Sequence, residues 1–400
     1  MDILLLTPRL PYPPYRGDKL KIFNLVKRLS RSHRITLLTF TTTAEEAGHR
    51  DALEDYCEVK SLHLPRWKSL WNCVVGVFRA VPLQVAYYSS SEMHRLVDAE
   101  LEKGRYDVLH VHYIRMAQYV LDRDVRVPMP MVLDLTDAKS LYLASFLTAT
   151  RSFMLKILLR VELRRMEAYE QLISRFDSCL VCSDVDRQIL LSRAPGARVE
   201  LLYNGIDLEY YTPNGTRRPD PGSVVFTGNM GYAPNLDGAL YFIREILPAV
   251  RARIPEVKLY LVGQKPPGSL RRLADEHVVV TGFVPDIKQY YHRSAVAIAP
   301  IRFGSGTLNK VLEPMAVGTP VVSTTIGVQG LPLVHGRDVL VADSPDEFAN
   351  AVVALLGDQQ LQKRLSENAQ QIVRGLYGWQ TIAGTLDEVY RRVSERKRTA

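Results

Sequence analysis

The chain reads Gly304-Ser-Gly-Thr-Leu-Asn-Lys310-Val-Leu-Glu313-Pro-Met-Ala-Val-Gly318-Thr-Pro-Val-Val322, in which a loop of small residues opens a short helix and then a strand. Backbone N–H groups at such a helix start carry partial positive charge and can hold a phosphate. Lys310 can add a full charge, and Glu313, one turn later, can accept hydrogen bonds from sugar hydroxyls. The stretch therefore predicts a site for a nucleotide diphosphate that carries a sugar. The alternative is an ordinary strand–loop–helix connection of an α/β protein.

Buried-type strands alternate with helical stretches on both sides of this segment, which is typical of parallel sheets covered on both faces. One series of predicted strands covers residues 2–7, 34–40, 106–112, 131–135 and 178–182. A second series covers residues 199–203, 223–227, 258–262, 278–281, 296–300, 319–323 and 339–341. We predict two doubly wound α/β domains with a hinge region at residues 203–207 and 212–222. Ligands of such sheets lie beyond the carboxyl ends of the strands, which predicts a site in the cleft between the domains.

The composition indicates a soluble globular protein of two domains. The 400 residues are too many for one typical core, and 46% of them are hydrophobic. Four cysteines are too few for a disulfide scaffold. Cys179 and Cys182 have metal-like spacing, but no second pair follows, so they indicate strand residues and not a zinc or redox site. A reducing cytoplasm is the expected compartment.

The N-terminus begins with a buried-type strand and lacks the basic start and apolar core of a signal peptide. No apolar run is long enough to span a bilayer, so we expect the protein to stay inside the cell. The net charge of +8 favours an anionic partner. Nucleic acid is not expected, because the chain has no recognisable nucleic-acid module.

Two segments, residues 68–79 and 151–165, mix large apolar side chains with Arg and Lys at a roughly helical period. Such segments can lie flat on an anionic membrane leaflet as a peripheral contact. They are also compatible with packed helices whose charges face water.

Several motifs follow one another in an order that resembles a known family. They are Arg16-Gly-Asp18, Asp107-Val-Leu-His-Val-His112, Ser183-Asp-Val-Asp186, Asn204-Gly-Ile-Asp207, Phe226-Thr-Gly-Asn229, Thr281-Gly-Phe-Val-Pro285-Asp286, Asn309-Lys-Val-Leu-Glu313 and Tyr377-Gly-Trp379. Over essentially its whole length, the chain resembles family four of the retaining GT-B glycosyltransferases. It is most similar to bacterial exopolysaccharide sugar transferases, including those associated with PEP-CTERM exosortase systems.

The resemblance implies a GT-B fold, with two Rossmann-like domains facing across a cleft. It implies an N-terminal acceptor domain over residues 1–200, completed by the C-terminal helix 376–400, and a donor domain over residues 201–375. A nucleotide diphosphate sugar is then the donor, with no cofactor and no metal, because helix-end dipoles and a cation can stabilise the leaving diphosphate. The Asp184-x-Asp186 pair resembles a metal motif of another glycosyltransferase fold, but it follows a strand and is expected to cap a helix.

The resemblance also implies roles for individual residues. Residues 281–284, with Phe283 and Val284, line the base pocket, and Gly17 in the first domain completes the cleft. Glu313 binds the ribose. The expected pyrophosphate and phosphate contacts are Gly228, Asn229, Met230, Gly306, Thr307 and Lys310.

The chain departs from the family pattern at three places. Ser305 stands where many relatives have a Glu near the donor sugar, which leaves the identity of that sugar open. Asn229 and Met230 replace an Arg and a Lys, so we expect Lys310, with Arg302, to neutralise more of the phosphate charge. Thr136 and Asp137 stand where relatives have a His that contacts the donor sugar. We take Asp137 as the candidate for that role, with a structural cap as the alternative.

We expect His110 and His112 to face opposite sides of their strand, with His112, nearer the carboxyl end, in the active site. His110 is expected to be a packed histidine. The predicted function is a retaining transfer of a sugar to an exopolysaccharide precursor or other glycan carried on a polyprenyl diphosphate. The alternatives are a nucleotide-sugar epimerase on the same fold and a non-catalytic nucleotide-sugar-binding protein.

Overall fold

The computed structural model describes residues 1–14, 17–121, 127–150, 152–212, 219–304 and 309–399. By the density of contacts within them, these residues form two compact units. Unit 1 consists of Met1–Asn204 and Gln380–Ala400, and unit 2 consists of Gly205–Trp379.

Unit 1 contains a sheet of seven strands. They are β1 Asp2–Thr7, β2 Arg34–Thr41, β3 Glu58–His63, β4 Val108–His112, β5 Met131–Thr136, β6 Ser178–Val181 and β7 Val199–Leu201. Its helices are α1 Gly17–Leu29, α2 Ala44–Gly48, α3 Asp51–Glu54, α4 Arg66–Val77, α5 Leu83–Ala86, α6 Ser91–Glu102, α7 Gln118–Leu121, α8 Lys139–Ala149, α9 Phe153–Glu170 and α10 Asp184–Arg193.

Unit 2 contains a sheet of six strands. They are β8 Asp220–Thr227, β9 Lys258–Val262, β10 Val278–Gly282, β11 Ser294–Ala299, β12 Val321–Ser323 and β13 Leu340–Val341. Its helices are α11 Ala233–Tyr241, α12 Leu247–Arg251, α13 Gly268–Arg271, α14 Lys288–Arg293, α15 Asn309–Val317, α16 Pro345–Gly357 and α17 Gln359–Leu376. Helix α18, Trp379–Thr399, begins at the last residue of unit 2 and otherwise belongs to unit 1.

Both sheets have the same strand order. It is β3-β2-β1-β4-β5-β6-β7 in unit 1 and β10-β9-β8-β11-β12-β13 in unit 2, and all the pairings between these strands are parallel. This is the doubly wound arrangement, in which the order reverses between β1 and β4 and between β8 and β11. The predicted α/β class with two Rossmann-like sheets is therefore confirmed. Side chains that follow the strands at these reversal points are the first candidates for ligand contacts.

Two strand predictions need correction. Strand β7, assigned from sequence to the second sheet, pairs with β6 at the edge of the first. Strand β3 was missed because its sequence, Glu58-Val-Lys-Ser-Leu-His63, is polar. The strand lies at the edge of the sheet, where it pairs with one neighbour only and buries few side chains. Strand β1, by contrast, is buried from Ile3 onward and has the continuous apolar run of a central parallel strand.

Candidate active site

The carboxyl ends of β8 and β9 approach each other through two glycines. Gly228 and Gly263 have φ angles of 150° and 146°, which favour glycine. A Cβ on Gly263 would lie 1.8 Å from the Gly228 carbonyl oxygen, and one on Gly228 would lie 2.6 Å from the Asn235 amide nitrogen. Neither position has room for a side chain, so the ends of the two strands pack backbone against backbone, with both glycines partly exposed.

Lys310 lies in the first turn of α15, and its ammonium donates a hydrogen bond to the Asn235 side-chain oxygen at 2.6 Å. The Asn235 amide in turn donates to the Asn229 carbonyl at 2.9 Å, which connects helix α15 to the loop after β8. Although Lys310 keeps some exposed surface, protein surrounds its charged end, and burial lowers its pKa to about 8. The side chain is a cation held by a neutral partner, which an incoming phosphate can replace or share.

Glu313, one turn further along α15, accepts a hydrogen bond from the Tyr291 hydroxyl at 2.8 Å and another from Tyr211. The Tyr291 hydroxyl also lies 2.7 Å from the Thr227 hydroxyl at the end of β8. Burial raises the pKa of Glu313 to about 7, against the opposing effects of both tyrosines and Lys310. The carboxylate is thus fixed in direction and poorly neutralised, and it can accept further hydrogen bonds from neutral hydroxyl donors.

The other residues expected to contact the donor differ in their exposure. Phe283, just after β10, is 71% exposed, and Val284 beside it is partly buried. Asn229 is exposed, whereas Met230 is fully buried and its backbone N–H donates to the Gln264 carbonyl at 2.8 Å. We therefore correct the role of Met230 from a pyrophosphate contact to a support beneath the loop.

Arg302 already has a strong partner in unit 2. Its guanidinium donates to both carboxylate oxygens of Asp237, at 2.6 and 2.9 Å, and lies over the Tyr241 ring. This pairing makes Arg302 a weaker candidate for phosphate neutralisation than Lys310. Ser305, Gly306 and Thr307 lie outside the described residues.

A buried charged cluster lies at the carboxyl ends of β4 and β5 in unit 1. The Lys21 ammonium, on α1, lies 3.0 Å from Asp134 Oδ1, and His112 Nδ1 lies 3.2 Å from Asp134 Oδ2. Burial opposes ionisation of Asp134, but Lys21 and His112 outweigh it and hold the pKa of Asp134 well below its usual range. Burial lowers the pKa of His112, and the bond to Asp134 opposes that shift. His112 is only 2% exposed, so it lies beneath the surface of the site.

The prediction that His110 and His112 face opposite sides was wrong. Residues two apart on a strand project to the same face, and ring nitrogens of both histidines lie within 4.8 Å of each other and of an Asp134 oxygen. His110 is buried, its Nδ1 lies 2.6 Å from the Tyr390 hydroxyl of α18, and burial lowers its pKa to about 3. His110, His112 and Asp134 form the one group of possible metal ligands among the residues that the structure describes. The Lys21 ammonium already neutralises the carboxylate there, so a metal ion would have to compete with it.

Asp137 follows β5 and pairs with the Lys139 ammonium at 2.5 Å, at the start of α8. The preceding Thr136 has a φ of 68°, as does Tyr113 just after β4. Such backbone strain in residues other than glycine is often found at functional sites.

Helix α1, which carries Lys21, starts at Gly17. The Asp184-x-Asp186 segment lies in the first turn of α10, where the capping side chain is that of Ser183, and Asp186 accepts from the Ala138 N–H.

Sequence analysis missed the groups that orient the predicted residues. Asn235 lies six residues after the motif that ends at Asn229, and a polar side chain directly after Pro234 at a helix start was a usable signal. Lys21, Asp134, Tyr211 and Tyr291 had no local signal, because each meets its partner only when distant segments pack together.

Two family models match the chain, one for each part. The family described as "Glycosyltransferase Family 4" matches residues 22–210, and the one described as "Glycosyl transferases group 1" matches residues 221–358. The chain is a glycosyltransferase with the GT-B fold. Both matches fall on the doubly wound sheets described above, and the second includes Lys310 and Glu313.

Individual relatives of this glycosyltransferase are distant. A putative glycosyltransferase of Bacillus subtilis, YtcC, is 26% identical over 53% of this chain and 59% of its own length. The D-inositol 3-phosphate glycosyltransferase of Paenarthrobacter aurescens is 25% identical over 80% of this chain and 82% of its own length. Anabaena Alr3699/HepE, solved in complex with UDP, has a TM-score of 0.66 at 17% identity over 98% of this chain and 100% of its own.

Proposed function

We propose that this glycosyltransferase moves a sugar, with retention of anomeric configuration, from a nucleotide diphosphate sugar to a growing exopolysaccharide precursor. We further propose that the acceptor is carried on a polyprenyl diphosphate at the inner face of the plasma membrane. The single observation that carries the donor assignment is the pair formed by Lys310 and Glu313 on α15. Lys310 offers a cation whose present partner, Asn235, is neutral. Glu313, one helical turn away, offers hydrogen-bond acceptors.

A nucleotide diphosphate fits this pair by the chemistry of its parts. Its phosphates need a cation, which Lys310 can supply. Its ribose hydroxyls need acceptors, which Glu313 can supply, and its base needs an apolar surface, which Phe283 can supply. The similarity to HepE, which was solved with UDP and with UDP-glucose, supports the same class of donor here.

Retention needs little acid–base machinery from the protein. The leaving phosphate can take the acceptor proton on the same face of the sugar, while the enzyme positions both substrates and stabilises the developing charge. This agrees with the buried state of His112 and with the firm pairing of Asp134 to Lys21. We propose that Lys310 and helix-end dipoles stabilise the diphosphate without a metal ion. Activity in the presence of a chelator tests that part directly.

Thermal unfolding against a panel of nucleoside diphosphates and their sugars tests the donor site. One of them should raise the unfolding midpoint, since a ligand that binds only the native state stabilises it. Lys310→Ala and Glu313→Ala should each lower the affinity for that ligand by roughly ten- to hundredfold. This is the effect expected when hydrogen bonds to a charged group that contribute about 1.5–3 kcal/mol are lost. Lys363→Ala, which removes an exposed lysine of the same unit, is the matched control and should bind normally.

Product analysis then separates transfer from the alternatives. Acceptor-dependent release of nucleoside diphosphate is expected, with the donor's anomeric configuration kept in the product by nuclear magnetic resonance. Conversion of the donor sugar without acceptor would instead indicate an epimerase. Binding of a donor with no turnover on any lipid-linked glycan would contradict the proposed acceptor.

A further inference from the structure

The large apolar side chains that are exposed to solvent concentrate on two helices of unit 1. Of the nineteen such residues among those described, eleven lie on α4 with its C-cap and on α9. On α4 they are Trp67, Leu70, Trp71, Val74, Val77 and Phe78, and on α9 they are Phe153, Met154, Ile157, Leu158 and Val161. Both sets follow the helical repeat, so each helix presents one continuous apolar stripe to solvent.

The two stripes are joined at the C-terminal end of α4. The Arg165 guanidinium of α9 donates to the carbonyl oxygens of Val77, at 2.7 Å, and Gly76, at 3.4 Å, at the C-terminus of α4. Glu162, also on α9, accepts from the Leu83 N–H at 2.7 Å, on the segment that follows α4. The C-terminal end of the α4 stripe is thus held beside α9 by Arg165, which lies one helical turn after Val161. We call the eleven residues, with the basic residues around them, the α4–α9 surface.

The exposed charges of the two helical segments are all positive, and the acidic neighbour Glu92 of α6 pairs with Lys68 at 3.2 Å. Residues 66–79 contain no acidic residue, and residues 152–165 contain only Glu162, which is buried and used in the hydrogen bond to Leu83. The basic residues are Arg66, Lys68, Arg79, Lys156, Arg160, Arg164 and Arg165. Of these, Arg66, Arg79, Arg160 and Arg164 are exposed. An apolar face of this size rimmed by positive charge needs a partner that is both apolar and anionic.

We propose that the α4–α9 surface docks the enzyme on an anionic lipid bilayer. Trp, Phe and Leu side chains suit the boundary between headgroups and acyl chains, and Arg and Lys suit anionic headgroups. A second copy of the chain fits less well, because two such faces would bring like charges together. No helix in the described part of the chain is both long and apolar enough to cross a membrane. The docking is therefore an attachment in the plane of the interface, with both helices lying flat.

This inference deepens the proposed function, since it rests on a lipid-linked acceptor for its purpose, but docking is measured without any donor or acceptor. Two of the three tryptophans, Trp67 and Trp71, lie on the α4–α9 surface and are 70% and 62% exposed, whereas Trp379 is 3% exposed. The intrinsic fluorescence of the protein is therefore a direct probe of this surface.

The test titrates the full chain with vesicles of phosphatidylcholine alone and of phosphatidylcholine mixed with phosphatidylglycerol. Binding to the anionic vesicles should shift tryptophan emission to shorter wavelength, and added salt should weaken it. The double variant Val74→Glu with Phe153→Glu should bind at least about tenfold more weakly. Val334→Glu, which alters a 49% exposed valine in unit 2, is the matched control and should bind as the unaltered chain does.

Three results would overturn the proposal. One is the absence of an emission shift and of co-sedimentation with anionic vesicles. Another is unchanged vesicle binding by the double variant, provided that its unfolding midpoint and nucleotide binding are normal. The third is a dimer in solution, without vesicle binding, that the double variant dissociates, which would assign the surface to a second copy. If the unaltered chain binds anionic vesicles but no nucleotide, the result would contradict the proposed donor site and still support the docking surface.

Discussion

Asp134 in unit 1 and Glu313 in unit 2 are carboxylates whose charged ends are surrounded by protein, yet their surroundings act in opposite directions. Asp134 lies 3.0 Å from the Lys21 ammonium, and its pKa is held far below its usual range despite burial. Glu313 receives phenol hydroxyls, and burial raises its pKa to about 7, with Lys310 opposing only weakly. The difference indicates that Asp134 is a permanently ionised structural group, whereas Glu313 can change its charge near neutral pH and remains available to a ligand.

Asp134→Asn should give the largest effect, because it leaves the Lys21 charge buried without a counter-ion. We expect the free energy of unfolding of unit 1 to fall by about 3–5 kcal/mol, as for other broken buried pairs. Asp220→Asn, which breaks an exposed pair with Arg293, is the matched control and should cost under about 1 kcal/mol. Urea unfolding measures both. Equal losses in the two variants would mean that Asp134 is no more important than a surface carboxylate.

Glu313→Gln should raise the free energy of unfolding at alkaline pH, whereas Asp134→Asn lowers it. The raised pKa means that the folded state holds a proton that the unfolded state releases, so stability falls as pH rises from about 4.5 to 7. Glutamine has no such charge, and the variant should be more stable than the unaltered chain at pH 8 by about 1–2 kcal/mol. The gain should vanish near pH 4.5. Nucleotide binding should weaken at pH 8, where the Glu313 carboxylate is ionised, and change little at pH 4.5, where it is protonated. A difference in unfolding midpoint that is the same at pH 5 and pH 8 would contradict the assignment.

Tyr291→Phe should give the smallest effect. It removes a hydroxyl that donates to Glu313 at 2.8 Å and contacts Thr227 at 2.7 Å, at a cost of about 1 kcal/mol in stability. Without that donor the pKa of Glu313 should rise further, so the pH range of tight nucleotide binding should move upward. Tyr390→Phe is matched in unit 1, where the hydroxyl contacts His110. The Tyr390→Phe variant should lose a similar amount of stability and leave the pH profile of nucleotide binding unchanged. If both variants shift that profile alike, Tyr291 does not act specifically on Glu313.

Most of the fold could be predicted because central parallel strands are continuous apolar runs. The exceptions lie at the edges: β3 is polar, and β7 is a three-residue strand whose sheet is decided by its partner β6. An edge strand buries little, so its sequence carries little information on where it pairs.

The candidate site was predictable only in part. The spacing of Lys310 and Glu313 is local, and it was found in the sequence. Their partners Asn235 and Tyr291 lie 75 and 22 residues away, and the Lys21–Asp134 pair spans 113 residues, so packing alone creates these contacts. The error on His110 and His112 has a different origin, since it came from applying the wrong strand period.

The course of the chain through its two units has a consequence for its synthesis. Unit 2 ends at Trp379, but unit 1 is completed by residues 380–400, where Tyr390 reaches His110 and Arg392 pairs with Glu200. During translation, the whole of unit 2 leaves the ribosome before the last helix of unit 1 does. Unit 1 must therefore wait, with the groove for α18 open, until residues 380–399 have been released. A chain truncated after Trp379 should carry a folded unit 2 and an unfinished unit 1, which places the docking of α18 after the folding of unit 2.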